Sequence, residues 1–139
     1  MQDWQEKINT LEKEGLSVRV EKDGKTIFQS KEPMLKPLLV CLQQHRPELA
    51  GATVIDKIVG RAAAYLCVVG QVSTVITPLA SESAQTVLTG AGITLQASHI
   101  TPQIKNRERT GPCPMEEMAS GYSNAEDFYA ALLQRVRPA

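Results

Sequence analysis

The chain reads as an α/β protein, a three-layer α-β-α arrangement around a mixed sheet. Three observations predict it. Asp23-Gly24 is a strong hairpin signal between two strand-like segments. A nearly all-apolar stretch, Asp56 to Gly70, reads as a buried helix in the middle of the chain. Beyond it, strand, helix and strand patterns follow with short connections, which makes a βαβ unit with parallel strands. An antiparallel hairpin ahead of a parallel unit gives a mixed sheet of at least four strands, with helices on both faces.

The elements follow in order. Residues 3–14 form an amphipathic helix: Asp3 is a capping type, Trp4, Ile8 and Leu11 make the stripe, and Gly15 stops it. Leu16 to Val20 alternates apolar and polar residues at period two, and Thr26-Ile27-Phe28 returns as its partner. Residues 33–46 read as a helix, with Pro33 in the first turn and Met34, Leu38, Leu39 and Leu42 at helical spacing. His45 lies at its polar end, and no other ligand type stands near it at metal spacing. Leu49 to Ile55 reads as a turn and a short apolar lead into the buried helix.

That helix is expected over 56–70, with Asp56 as its cap, three consecutive alanines in its body and Gly70 at its stop. Ile58, Ala62, Tyr65, Leu66 and Val69 share one face, and the opposite face is apolar as well. Its polar groups crowd the first turn: Asp56, Lys57 and Arg61. Unpaired N–H groups and the helix dipole make such a start a candidate anion site. Val72 to Thr77 is the next strand. A helix from Ala80-Ser81-Glu82 to Leu88 follows, with Ser81 or its neighbour as cap and Glu82 in the acid-favouring first turn. Ile93 to Ser98 is the last strand.

The segment from Ile100 to Met118 is long and polar, and loops of that length are more often functional than idle. Pro114, Glu116 and Glu117 suit the start of a short helix. Cys113 ahead of it, with Arg107 and Arg109 upstream, is the candidate nucleophile. Ser123 or Asn124 caps a final helix, Ala125 to Val136, whose inner stripe is Phe128, Leu132 and Val136.

Composition narrows the function. The 139 residues suit one domain with a real core, and 15 basic residues balance 15 acidic ones. That balance argues against a nucleic-acid or anionic-membrane surface. Met1 to Lys7 is too polar for a signal peptide, and no apolar run reaches the roughly 18 residues of a membrane span. Cys41, Cys67 and Cys113 are odd in number and far apart, which fits a reducing cytoplasm rather than a disulfide or zinc framework.

Two motifs carry a family resemblance. Asp56-Lys57-Ile58-Val59-Gly60-Arg61-Ala62-Ala63-Ala64, followed about fifty residues later by Asn106-Arg107 and Thr110-Gly111-Pro112-Cys113-Pro114-Met115-Glu116, resembles a small prokaryotic family of unknown function. The fold this implies is cytidine-deaminase-like, with the helix at 33–46 as an insertion. Zinc deaminases place a His or Cys and a Glu at the start of the buried helix, and Pro-Cys-x-x-Cys at the next one. The resemblance puts Ile58 to Arg61 at the first place and Ser81 and Ala84 at the two cysteine positions. Tetrahedral zinc needs converging thiolates or imidazoles, so no metal and no zinc-dependent deamination are expected.

The resemblance further implies a cleft where two helix starts converge, crossed by the segment from Asn106 to Cys113. Its candidate ligand-binding residues are Asp56, Lys57, Gly60, Arg61, Ser81, Glu82, Asn106, Arg107 and Cys113. Helix N–H groups with Lys57 and Arg61 suit a phosphate or carboxylate; Asp56 and Glu82 suit ribose hydroxyls or amines. The expected partner is a nucleotide or nucleotide-sugar-like small molecule, with a homo-oligomer implied by the fold. Three functions stay open: a ligand-binding or regulatory protein, a metal-independent enzyme using Cys113 or a carboxylate, and a structural subunit.

Overall fold

A computed structural model describes residues 4–32, 35–105 and 113–136. Helix α1 (Trp4–Lys13) leads into strands β1 (Val18–Lys22) and β2 (Lys25–Ser30). Helix α2 (Lys36–Leu49), strand β3 (Thr53–Asp56) and helix α3 (Arg61–Gly70) follow. Then come β4 (Thr74–Ser81), α4 (Glu82–Gly90), β5 (Thr94–Thr101), α5 (Pro114–Ala119) and α6 (Ala125–Val136).

The five strands form one sheet in the order β2-β1-β3-β4-β5. β1 is antiparallel to both β2 and β3; β3, β4 and β5 run parallel. The hairpin turns at Asp23 and Gly24, both at positive φ (53° and 78°), the geometry that Asp-Gly adopts at little steric cost. Gly15 at φ 68° ends α1 as expected.

Alternation along the strands sorts two apolar layers. Ile55 and Ile76 face α1 and pack with Ile8, Leu11 and Leu16. Val18, Val20, Val54 and Val75 face the other way, into a larger cluster shared by α2, α3, α4 and α6. α3 lies at the centre of that layer, and its residues from Ala62 to Cys67 are all buried. The expected three layers are therefore present.

Several expectations need correction. Thr53–Asp56 is a strand, not an irregular lead; it pairs with β1 on one side and β4 on the other. α3 starts at Arg61, not at Asp56, and its cap position is Gly60. The cause is the pairing of the intervening chain: Val59 bridges Ala80, with bonds from Val59 N–H to Leu79 O and from Ser81 N–H to Val59 O. Ile58, expected on a buried face, is 49% exposed as a result. Gly70 is the last residue of α3, and Gln71 takes the left-handed capping conformation beyond it. A Cβ at Gly70 would press on Leu49, which explains a glycine inside the helix. α2 runs beyond residue 46 to the buried Leu49, across a kink at His45, two residues before Pro47. The expectations for Asp3, Pro33 and Met34 lie outside the described residues. Among the described residues, no helix is long and apolar enough to cross a membrane.

Candidate functional site

The start of α3 has no capping side chain of its own. Gly60 is extended (φ −98°, ψ −172°) and leaves the first N–H groups of the helix without a local acceptor. Glu116, in the first turn of α5, supplies one. Its Oε1 accepts from the Arg61 N–H at 2.7 Å and its Oε2 from the Ala62 N–H at 2.9 Å. A Cβ at Gly60 would collide with that carboxylate. The two motifs, about fifty residues apart, are thus the two halves of one contact.

The half-buried Arg61 side chain holds the same elements together. Nε donates to Ala119 O at 3.2 Å, Nη1 to Ser83 Oγ at 2.9 Å and Nη2 to Tyr122 O at 2.9 Å. The guanidinium carbon sits 5.1 Å from the centre of the Tyr65 ring, a stacking distance for a cation over an aromatic face. The Tyr65 hydroxyl donates to the same Tyr122 carbonyl.

Next to this knot a recess of about 210 Å³ opens beyond the C-terminal ends of β4 and β5. Among the described residues Arg61, Ser81 and Ser83 line it, and Pro102, Gln103, Ile104, Glu116, Glu117 and Ser120 complete the lining. Parallel α/β sheets characteristically hold ligands at this end of the strands. Ser81 is 1% exposed, and its Oγ caps α4 by accepting the Ala84 N–H at 3.0 Å.

The structure distributes the sequence-derived residues unevenly. Arg61 and Ser81 meet at the recess, and Gly60 lies against Glu116 at its wall. Asp56, Lys57, Glu82 and Cys113 are not among the residues that line it. Lys57 is exposed and donates its N–H to Ser17 O; Glu82 is exposed on α4. The helix-start anion site expected beside Asp56 and Lys57 is five residues further on, and a carboxylate of the chain itself fills it. Asp56 ends β3, where burial of its carboxyl pushes the pKa up to about 7 against the opposing pull of the Ile58 and Lys57 N–H groups. Cys113 is half-buried at the cap position of α5, its N–H donating to Ile104 O. Asn106 and Arg107 lie outside the described residues.

Glu116, Ser83, Gln103 and Tyr122 were not singled out from the sequence as site residues. A usable signal existed: a helix whose cap position is glycine needs an acceptor from elsewhere, and a carboxylate is the strongest one.

The donor set does not suit a deaminase zinc ion. The Ser81 hydroxyl is committed to its cap, Ala84 has no donor atom, Gly60 has no side chain and Arg61 is a cation. Among the described residues, no group of three or more His, Cys, Asp or Glu stands close enough to hold a metal.

The sheet order and the parallel β3-β4-β5 unit give an α/β protein with a cytidine-deaminase-like fold. The chain belongs to the family described as TM1506, domain of unknown function (DUF1893), whose model matches residues 6–136. The crystal structure of a DUF1893 family protein (TM1506) from Thermotoga maritima is similar, with a TM-score of 0.85 and 24% identity over 94% of this chain and 88% of that one. RibD from Acinetobacter baumannii (form 1) is similar in fold, with a TM-score of 0.51 and 17% identity over 94% of this chain. The match spans 37% of the RibD chain. No curated protein matches the sequence.

Proposed function

We propose that this chain is a binding protein that holds a nucleoside- or nucleotide-like small molecule in the recess between α3, α4 and α5, without a metal and without deaminating it. The observation that supports this most is the convergence of Arg61, Ser81, Ser83, Gln103 and Glu116 on one hollow at the C-terminal end of parallel strands. Ser and Gln side chains offer the mixed donors and acceptors that a sugar or a heterocycle needs. At about 210 Å³ the recess falls below the ~300 Å³ at which ordinary ligand pockets begin, so it suits one ring of such a molecule rather than the whole.

The reading is tested by thermal stabilisation against a panel of nucleosides, nucleotides and nucleotide-sugars. A ligand at 100 times its Kd adds about 2.7 kcal/mol to the stability of the folded state. A panel without any shift removes the proposal.

A structural role is the second reading, and one observation favours it: Nε, Nη1 and Nη2 of Arg61 all donate to groups of the protein itself. An enzyme using Cys113 has less support, since that thiol does not line the recess. A cytoplasmic, homodimeric protein is part of the same proposal; light scattering reads the subunit number.

A further inference from the structure

The start of a helix attracts anions because its N–H groups are unpaired and its dipole is positive there. In this chain the start of α3 faces the recess through Arg61, yet both of its first N–H groups are already bonded to Glu116. The arrangement is built rather than incidental. Each oxygen of one carboxylate meets a different N–H, and the approach is open only because residue 60 has no Cβ. Arg61, the cation on the wall, already commits one N–H of each side-chain nitrogen within the protein, to Ala119 O, Ser83 Oγ and Tyr122 O.

We infer that Glu116 is a specificity-determining residue: it occupies the anion position of α3 with the chain's own carboxylate and thereby bars phosphate and carboxylate groups from the recess. The ligand class that follows is an uncharged molecule rich in hydroxyl and amino groups, a nucleoside rather than its phosphate ester. A phosphate brought to the same place meets the Glu116 carboxylate, with the Arg61 and Ala62 amides already bonded to it, and juxtaposed like charges are strongly disfavoured. This inference rests on the binding reading above.

The test is thermal stabilisation and equilibrium dialysis of the full chain with adenosine, cytidine, guanosine and uridine, their 5′-monophosphates, and inorganic phosphate. At least one nucleoside is expected to stabilise the protein, with its monophosphate at least about tenfold weaker. Inorganic phosphate is expected to do no more than an ionic-strength control. Glu116→Gln removes the charge and is expected to narrow the gap between nucleoside and monophosphate. If that variant does not fold, the wild-type ratio and the phosphate titration decide alone. A monophosphate that binds as well as its nucleoside, specific stabilisation by phosphate, or an unchanged gap in a folded Glu116→Gln variant overturns the role of Glu116 and leaves the binding reading intact. Silence across all nucleosides and nucleotides overturns the binding reading itself.

Discussion

Glu116 caps a helix whose own cap residue, Gly60, has no side chain to offer. The two are 56 positions apart in the chain, and the absent Cβ of one is the space filled by the carboxylate of the other.

Gly60→Ala is expected to evict that carboxylate. Two N–H groups then lose a charged acceptor, at a cost of about 2 kcal/mol and a fall of several degrees in Tm. Because both changes break one contact, Gly60→Ala made in a Glu116→Ala background should cost under about 1 kcal/mol more. Urea unfolding of the four-member cycle checks this. Simple additivity would mean that the contact does not hold the two helices together.

Arg61→Lys keeps the charge but loses the planar fork that reaches Ala119, Ser83 and Tyr122 together. A loss of about 2 kcal/mol is expected in denaturant unfolding, from the bonds of a charged donor alone, since Ala119 O keeps the Tyr122 N–H and Tyr122 O keeps the Tyr65 hydroxyl. A lysine variant as stable as the wild type would show that the stacking on Tyr65 alone suffices.

Ser81→Ala removes the cap of α4 at a buried position. It should cost about 1 kcal/mol, whereas Ser81→Thr, which keeps the hydroxyl, tests whether the surrounding core has room for a methyl group. Calorimetry of both variants separates the lost bond from crowding.

Asp56 predicts a pH dependence. Its folded pKa, about 7, lies above the value near 4 of an unfolded chain, so between those values the folded state binds more protons. Its contribution to stability is therefore full below about pH 4 and is lost as the pH rises through 7. Asp56→Asn should stabilise the protein at pH 8, by a few kcal/mol at most, and change little at pH 4. Unfolding curves at the two pH values check the sign, and an equal effect at both would contradict it.

The thiols should differ in reactivity. Burial pushes Cys41 up to about 11 and raises Cys67 as well, and both side chains are shielded; Cys113 is half-buried at the start of α5. Alkylation at neutral pH, followed by peptide mapping, should label Cys113 first. Equal labelling of all three would indicate that the core opens readily.

The elements with a clean period were legible before any coordinates. The Asp23-Gly24 hairpin stands where the spacing put it, Ser81 caps α4, and β4 and β5 are parallel as expected, although β4 runs on to Ser81 and β5 to Thr101, past the expected Thr77 and Ser98. β3 was hidden because Val54 and Ile55 are buried on opposite faces of the sheet, so its four residues show no alternation and merge into the apolar run that follows. Asp56 looked like a helix cap for a related reason: local rules cannot see that Val59 is held extended by Ala80, a residue of another strand.

By itself, the sequence determined the α/β class, most of the element order and the buried character of α3. These are written in periodicity and residue chemistry, which act over a few positions. Only the tertiary structure decided that Glu116 fills the start of α3, that Arg61 ties α3 to Ser83, Ala119 and Tyr122, and that Asp56 and Lys57 stand apart from the recess. Those outcomes depend on which distant groups arrive at an unsatisfied N–H or an open side of a glycine, and the packing of α5 against α3 settles that competition.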